Sequence, residues 1–430
     1  MKSNRILAIV LALVLCLSAI PMAVAEEHEP VTIRFSWWGG DSRHAATLEV
    51  INQFQELYPW ITVEAEYGSS DGYHDKLATQ LTSGTEPDLM QIDPETMPQF
   101  VKAGDFFVDL FETDFDFSNF DVPSIKASTI TGCYDGKQYG LPTGVAGPCI
   151  LVNKALAEQV GVDFTKPYTW EDLITWGKAA RAISPDTYLV ATNVDYLNNM
   201  VVNFYTKQVS GTTLFDVETG ALLATKENLT KTFAYIKSLF DNEVVAPIST
   251  MTQYSGDNMQ SDPAWINGNY AMTMTYISTA NVMMAANPNA EYFAGEFPML
   301  ADAQNDGWIV GCPQIIAVSK RSENLEACLL FLDYFYNNEK AMSTLSTQRS
   351  VPPTAKAREV VSADGNMDPV LAQSVDILTP YLGLANDPIG SSSEAKRIMQ
   401  DAIEEMAYGM TTPEEAAQIV IERYEEMAAK

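Results

Sequence analysis

Hydrophobic and polar residues first fall into a clear rhythm at Val31. Val31, Ile33, Phe35 and Trp37 alternate with Thr32, Arg34 and Ser36, the period-two pattern of a strand with one buried face. Gly39-Gly40 breaks the strand. Leu48, Ile51, Phe54, Leu57 and Tyr58 then recur at helical spacing until Pro59 stops the helix. Ile61, Val63, Ala65 and Tyr67 predict a second strand. A GSSDG turn leads into a helix carrying Tyr73, Leu77 and Leu81, which ends near Gly84. DLMQID, after Pro87, predicts a third strand. The series βαβαβ implies parallel strands joined by crossover helices. Ligands of such sheets sit beyond the carboxyl ends of the strands.

Further along, DGKQYGLPTG reads as a turn and an extended crossing segment, and CILVNK as a strand. The stretch Thr169 to Ile183 predicts a helix with Thr169 as N-cap, Asp172 at the capping-box position and Leu173, Trp176 and Ala180 as its apolar stripe. Leu229, Phe233, Ile236 and Phe240 mark one face of a helix from about Lys226 to Asn242. AWINGNYAMTMTYIST places a turn, then a buried strand, with Tyr276 at the strand's end; Trp265 reads as core. GWIVGCPQIIAVSK predicts a strand pair, LEACLLFLDYFYNN a helix, and the tail from Ser391 two helices divided by Thr412-Pro413. With no repeat and no low-complexity linker, two domains would exchange the chain more than once.

Residues 1–25 stand apart. Lys2 and Arg5 precede an apolar run, Ile6 to Leu17, and Ala23-Val24-Ala25 supplies small residues, the layout of a secretory leader cleaved after Ala25. Cys16 offers a second route, lipid attachment, although Leu15 stands where that processing wants a small residue. No later segment is long and apolar enough to span a bilayer. The expected location is therefore outside the cytoplasm, in a periplasm or at the cell surface.

The remaining length suits two domains. A hydrophobic content of 47% and a net charge of −30 describe a globular protein whose surface repels phosphate backbones, which argues against nucleic-acid binding. Cys133, Cys149, Cys312 and Cys328 match no disulfide framework or zinc spacing, and buried free thiols fit as well as bridges. Three histidines, His28, His44 and His74, do not make a metal site.

Candidate chemistry gathers at the strand ends. Trp37 shares the face of Ile33 and Phe35 and belongs to the core. Trp38, on the other face, is the aromatic expected to stack on a sugar ring, with Gly39 and Gly40 exposing main-chain N–H groups and Asp41 and Arg43 adding an acceptor and a forked donor. Asp71 and Tyr73 follow the second strand and read either as ligand contacts or as a helix cap and a packed ring. Asp93 and Glu95 follow the third and read either as ligand contacts or as a solvated helix start. Thr143 and Gly144 lie on the crossing segment; Tyr276 and Trp308 are aromatics facing the same region. No H-E-x-x-H or P-loop occurs.

These residues carry a resemblance. The FSWWGG-x-x-R-H-x-x-T opening, KLATQLTSGTEPDLMQID, YGLPTG followed by LVNKALAEQVGVD, T-W-E-D-L, W-I-N-G-N-YAM and FL-x-YF followed by NNEKAM resemble, in that order, the family 1 extracellular solute-binding proteins of bacterial ABC importers, the carbohydrate-binding family that includes maltose-binding proteins. The resemblance implies a two-lobed α/β fold of the periplasmic-binding-protein type (type II-like), each lobe a mainly parallel sheet flanked by helices, joined by about three crossings. It places 26–143 plus 306–338 in the first lobe and 144–305 plus 339–430 in the second. It implies a monomer that closes on a sugar, expected to be an oligosaccharide, and docks on the transmembrane subunits of an ABC permease, with no catalytic residue, cofactor or resident metal. Trp38 to Arg43, Asp71, Tyr73, Asp93, Glu95, Thr143, Gly144 and Tyr276 fall at ligand-loop positions, and Arg349 lies in a loop that reaches the cleft. A secreted carbohydrate-active enzyme and a sugar-sensing protein presenting its ligand to a receptor are the alternatives.

Overall fold

Strand β1 (Val31–Trp38) forms where the alternation predicts it, and Ile33, Phe35 and Trp37 are completely buried. In this computed structural model, residues 28–68, 72–94, 96–126, 131–217, 219–254 and 256–428 are described. The leader with Cys16 and Ala25, and the candidate ligands Asp71 and Glu95, lie outside the described residues. Helix α1 (Asp41–Leu57) starts after Gly40. β2 (Ile61–Gly68), α2 (Tyr73–Ser83), β3 (Leu89–Ile92), α3 (Met97–Ala103) and β4 (Gly140–Pro142) complete the first run. α2 stops at Gly84, whose φ of 72° is left-handed backbone that glycine adopts without strain. β1 pairs in parallel with β2 on one side and β3 on the other, the expected βαβαβ unit.

The second run holds β5 (Pro148–Asn153), α4 (Trp170–Ile183), β6 (Tyr188–Ala191), α5 (Lys226–Asp241), β7 (Tyr270–Tyr276), α6 (Ile277–Ala286) and β8 (Tyr292–Gly295). The predicted capping box of α4 is present: Asp172 N–H donates to Thr169 Oγ1 at 3.2 Å and Thr169 N–H to Asp172 Oδ2 at 2.8 Å. The chain then returns through β9 (Ile315–Val318), α7 (Leu325–Asn337) and α8 (Glu339–Leu345). It ends in α9 (Ala355–Ala363), α10 (Pro369–Leu378), α11 (Ser393–Ala407) and α12 (Pro413–Ala428). Of the strand pair expected in GWIVGCPQIIAVSK, only the second half is a strand; Ile309 and Gly311 make isolated bridges.

The two larger sheets are ordered β2-β1-β3-β9-β4 and β8-β5-β7-β6. Each contains one reversed strand. β9 is antiparallel to both β3 and β4, and β5 is antiparallel to both β7 and β8. The cause is the connectivity. β5 and β9 are the first strands entered after a crossing, so they run away from it, while β3, β4 and β7 run towards it.

Each sheet has its own apolar packing. Ile33, Phe35, Val50, Phe54, Phe331 and Phe335 fill one face of the first, and Leu77, Leu81, Met90, Ile92 and Ile315 the other. The second core runs from Val145 to Tyr424. Two boundaries differ from those expected. α8, assigned by resemblance to the second lobe, packs on the first: Leu345 joins its core, and Gln53 Nε2 donates to Thr344 Oγ1 at 3.0 Å. Trp308 and Val310, assigned to the first, pack in the second core, and the chain passes to the first only near Cys312.

Three crossings lie side by side between the cores. Val145 N–H donates to Val351 O at 2.7 Å, while Ala146 and Gly311 exchange backbone hydrogen bonds of 2.9 and 2.8 Å. Thr143 N–H donates to Gln314 O at 2.9 Å.

Candidate functional site

Register shows which strand ends meet the crossings. Ile92, last in β3, lies opposite Ile315, which also lies opposite Pro142, the last residue before the first crossing. In the other sheet Tyr276, last in β7, lies opposite Pro148, the first residue after that crossing. The carboxyl ends of β1, β3 and β7 therefore converge on one hinge region, and the helices that follow them start there.

The first-lobe wall is built on β1. Trp38 is expected to face the ligand, and here the structure corrects the expectation. Only 7% of Trp38 is exposed, because Tyr73 and His74 from the first turn of α2 cover it, with ring centroids 4.8 and 5.0 Å away. Tyr73 is fixed in turn: its hydroxyl donates to Ser36 O at 3.1 Å, and burial raises its pKa above the ordinary phenol value. His74 Nε2 accepts from Asp93 N–H at 3.2 Å, and its Nδ1 lies 3.8 Å from Asp93 Oδ2. Burial lowers the imidazole pKa against the opposing pull of Asp93. The ring is thus neutral at pH 7, bridging α2 to the end of β3. Trp37 packs into the core as expected, stacked on Tyr67 at 5.0 Å, with Nε1 donating to His44 Nδ1 at 3.1 Å.

Arg43 folds back over Gly39. A Cβ at Gly39 would sit 2.6 Å from Arg43 Cδ, so the glycine permits the close approach. The guanidinium donates to Trp38 O and to Gln348 O, both at 3.3 Å, and so reaches from α1 to the third crossing. Gly40 is exposed, and α1 begins on it without a side-chain cap; Asp41 is exposed in the first turn.

Arg349 is the buried partner of this arrangement. It is 2% exposed, donates to Gln91 Oε1 and, at 2.9 Å, to Thr47 Oγ1, and leaves its buried Nε without an acceptor. Burial, helped by the charge of Arg43, pushes its pKa down to about 9, still high enough to stay charged at neutral pH. Gln91 joins the parts: fully buried on β3, it also donates to Trp38 O at 3.2 Å. Nothing local marks Gln91 in the sequence, since a lone glutamine in an apolar strand reads as an irregularity.

Thr143 and Gly144 are hinge packing. Thr143 is 4% exposed with its hydroxyl 3.3 Å from Gln314 Oε1. A Cβ at Gly144 would stand 2.4 Å from Arg349 O, so only glycine lets the first and third crossings touch. Ser346 and Ser350, flanking this contact, hold left-handed backbone at φ 47° and 85°, which costs non-glycine residues strain.

Across the hinge, Tyr276 is half-buried at the end of β7, with its ring 6.1 Å from Tyr196. Asn193, also missed in the sequence, is fully buried after β6: its side chain accepts from Tyr196 N–H at 2.9 Å and donates to Tyr254 O at 2.7 Å. A π-helical stretch, Leu197–Val202, follows.

Trp308 is the second correction. It is completely buried in the second lobe, stacked on Phe204 at 4.1 Å and near Phe297 at 4.5 Å, with Nε1 donating to Pro298 O at 3.0 Å. It offers a ligand no surface. Gly307 (φ 76°) stands beside it because a Cβ there would lie 2.7 Å from Phe204 O.

Among the described residues, no three His, Cys, Asp or Glu side chains form a metal-ligand group, and no helix is long and apolar enough to cross a membrane. The four described cysteines are buried and form no disulfide with one another. Burial raises all their pKa values, those of Cys149 and Cys328 to about 12.

Parallel strand ends meeting a triple crossing between two cores define a two-lobed binding protein, and comparison with known proteins agrees. Residues 40–342 match the family described as bacterial extracellular solute-binding protein, and the chain belongs to that family. An arabinooligosaccharide-binding protein of Halalkalibacterium halodurans is 25% identical over 259 residues, 55% of each chain. A periplasmic oligogalacturonide-binding protein from Yersinia enterocolitica, also solved with saturated digalacturonic acid, superposes with a TM-score of 0.75 at 25% identity, over 93% of this chain and 99% of that one. A family 1 extracellular solute-binding protein from Alicyclobacillus acidocaldarius gives a TM-score of 0.83 at 20% identity, over 94% and 100%.

Proposed function

We propose that this protein captures an oligosaccharide between its lobes by hinge closure, outside the cytoplasm, and delivers it to an ABC-type permease. The observation that carries the reading is the triple crossing, with the ends of β1, β3 and β7 gathered beside it. A ligand touching both the Arg43 wall and Tyr276 gains contacts only when the lobes approach. Such differential affinity is what shifts an open–closed equilibrium. The resemblance of the chain to binding proteins for arabinooligosaccharides and oligogalacturonides supports a sugar of more than one unit. The ring available for stacking in the second lobe is Tyr276; in the first, Tyr73 and Trp38 form the layer behind the polar wall. The leader ending at Ala25 is the export signal in this reading, and the ligand leaves unchanged rather than cleaved.

A thermal-shift screen over mono- and oligosaccharides tests the substrate class, because a ligand bound only by the folded state raises the midpoint. Small-angle scattering then tests closure: the radius of gyration should fall on saturation with the hit. Replacing Tyr276 by Ala should weaken that sugar by about 1–3 kcal/mol, the scale of one aromatic contact. A rise with amino acids or peptides and none with sugars sinks the substrate class. Tight binding with no contraction sinks the hinge mechanism.

A further inference from the structure

The charges at the first-lobe wall run against those of the whole chain. Acidic residues outnumber Lys and Arg by 56 to 26, and four arginines elsewhere take carboxylate partners. Arg34 pairs with Glu66, Arg181 with Glu243, Arg321 with Glu86 and Arg358 with Asp376. Arg43 and Arg349 do not. Their hydrogen bonds go to backbone carbonyls, an amide and a hydroxyl. They stand close enough for the charge of Arg43 to act on Arg349. The carboxylate whose field reaches Arg43 is Asp93, which is also shared with neutral His74. Among the described residues, Arg43 thus has one carboxylate acting on it and the buried Arg349 has none.

Two further facts point the same way. Arg349 is buried without an ion-pair partner and with Nε unsatisfied, although burying a cation is costly unless it is compensated. The half-buried Arg43 lies in the first turn of α1, a helix of 17 residues whose opening N–H groups have no side-chain cap and whose dipole favours an anion. Arg43 Nη2 has no acceptor among the described residues, so the guanidinium keeps donors for a ligand. A guanidinium matches a carboxylate in geometry as well as in charge.

We infer that the ligand is an acidic oligosaccharide, its uronate carboxylate held by Arg43 at the start of α1, with Arg349 fixed behind it through Gln91 and Thr47. The inference rests on the oligosaccharide-binding reading and narrows it. A neutral sugar would add no counter-charge beyond that of Asp93 in the closed cleft. A uronate supplies one and gains charge-assisted hydrogen bonds.

Calorimetry with digalacturonic acid and with the neutral disaccharide of the same linkage, galactobiose, separates the two readings. Digalacturonic acid should bind at least about tenfold more tightly, the scale of one charge-assisted hydrogen bond. Its affinity should fall with added salt, while galactobiose shows little salt dependence. Arg43→Gln should abolish the preference without moving the unfolding midpoint of the free protein by more than a few degrees, and Arg43→Lys should retain part of it. Equal or tighter binding of galactobiose, or an Arg43→Gln variant that keeps the acid preference, overturns the inference and leaves the oligosaccharide reading standing. Failure of every sugar in the thermal-shift screen overturns both.

Discussion

Helices that begin at the hinge-facing strand ends are built differently from most helices elsewhere in the chain. α1 and α2 start on Gly40 and Gly72, with no side chain bonded to their opening N–H groups, and α6 starts on Tyr276, whose own N–H donates to Thr279 Oγ1 at 3.3 Å. α4, α5, α8, α9, α10 and α11 start on Thr169, Thr225, Asn338, Thr354, Asp368 and Ser392, each accepting from its own helix. α7, which starts on Asn324 away from the cleft, is uncapped as well, so lack of a cap alone does not mark a site. What distinguishes α1 is the combination of an open start, a glycine that admits Arg43 and a cation without a carboxylate of its own. A capped helix start has spent its donors on the fold; an open one keeps them for a visitor.

The sharpest way to separate structural from ligand-facing residues is Trp308→Ala. Removing a fully buried indole should cost about 3–5 kcal/mol of stability. Denaturant unfolding should register that loss, while the surviving folded fraction binds its sugar with unchanged affinity; a selective loss of affinity would return Trp308 to the site. Thr169→Ala comes next. Loss of this cap should cost about 1 kcal/mol and leave binding alone, as urea titration and calorimetry on one preparation would show. The smallest effect on stability bears most directly on the contrast. Gly40→Ser gives α1 the cap it lacks, in open space and at an ordinary extended φ of −90°. It should add a few tenths of a kcal/mol and at the same time weaken ligand binding. Stabilisation with unchanged affinity would mean that the α1 donors are not used.

The run from β1 to β3 was legible because its signals are local. Period-two alternation, helical spacing and glycine or proline punctuation fall within short windows, and the same alternation put Trp37 in the core. Trp38 required knowledge of α2: nothing near it in sequence says that Tyr73 and His74 will lie over it. Trp308 was misread for the same reason, since Phe204 and Pro298 are distant along the chain. Gln91 and Asn193 were invisible because each acts through backbone groups and side chains brought together only by the fold. The five acidic and basic residues read from the strand ends divide accordingly: Arg43 and Asp93 are placed at the wall, Asp41 is exposed in the first turn of α1, and Asp71 and Glu95 lie outside the described residues.

The late arrival of β9 also fixes the order in which the molecule can be completed. β3 and β4 are both made early, yet they touch only through β9, which begins at Ile315. Until then the apolar Leu-Met-Gln-Ile edge of β3 has no partner on that side, and such an edge invites pairing with other chains. Most of the second lobe's sheet is synthesised in the interval, and β5 to β8 need no strand from the first lobe. The second sheet can therefore assemble before the first is whole. Pairing across so long a stretch of chain is slow, so the earliest residues to be made belong to the last sheet to finish.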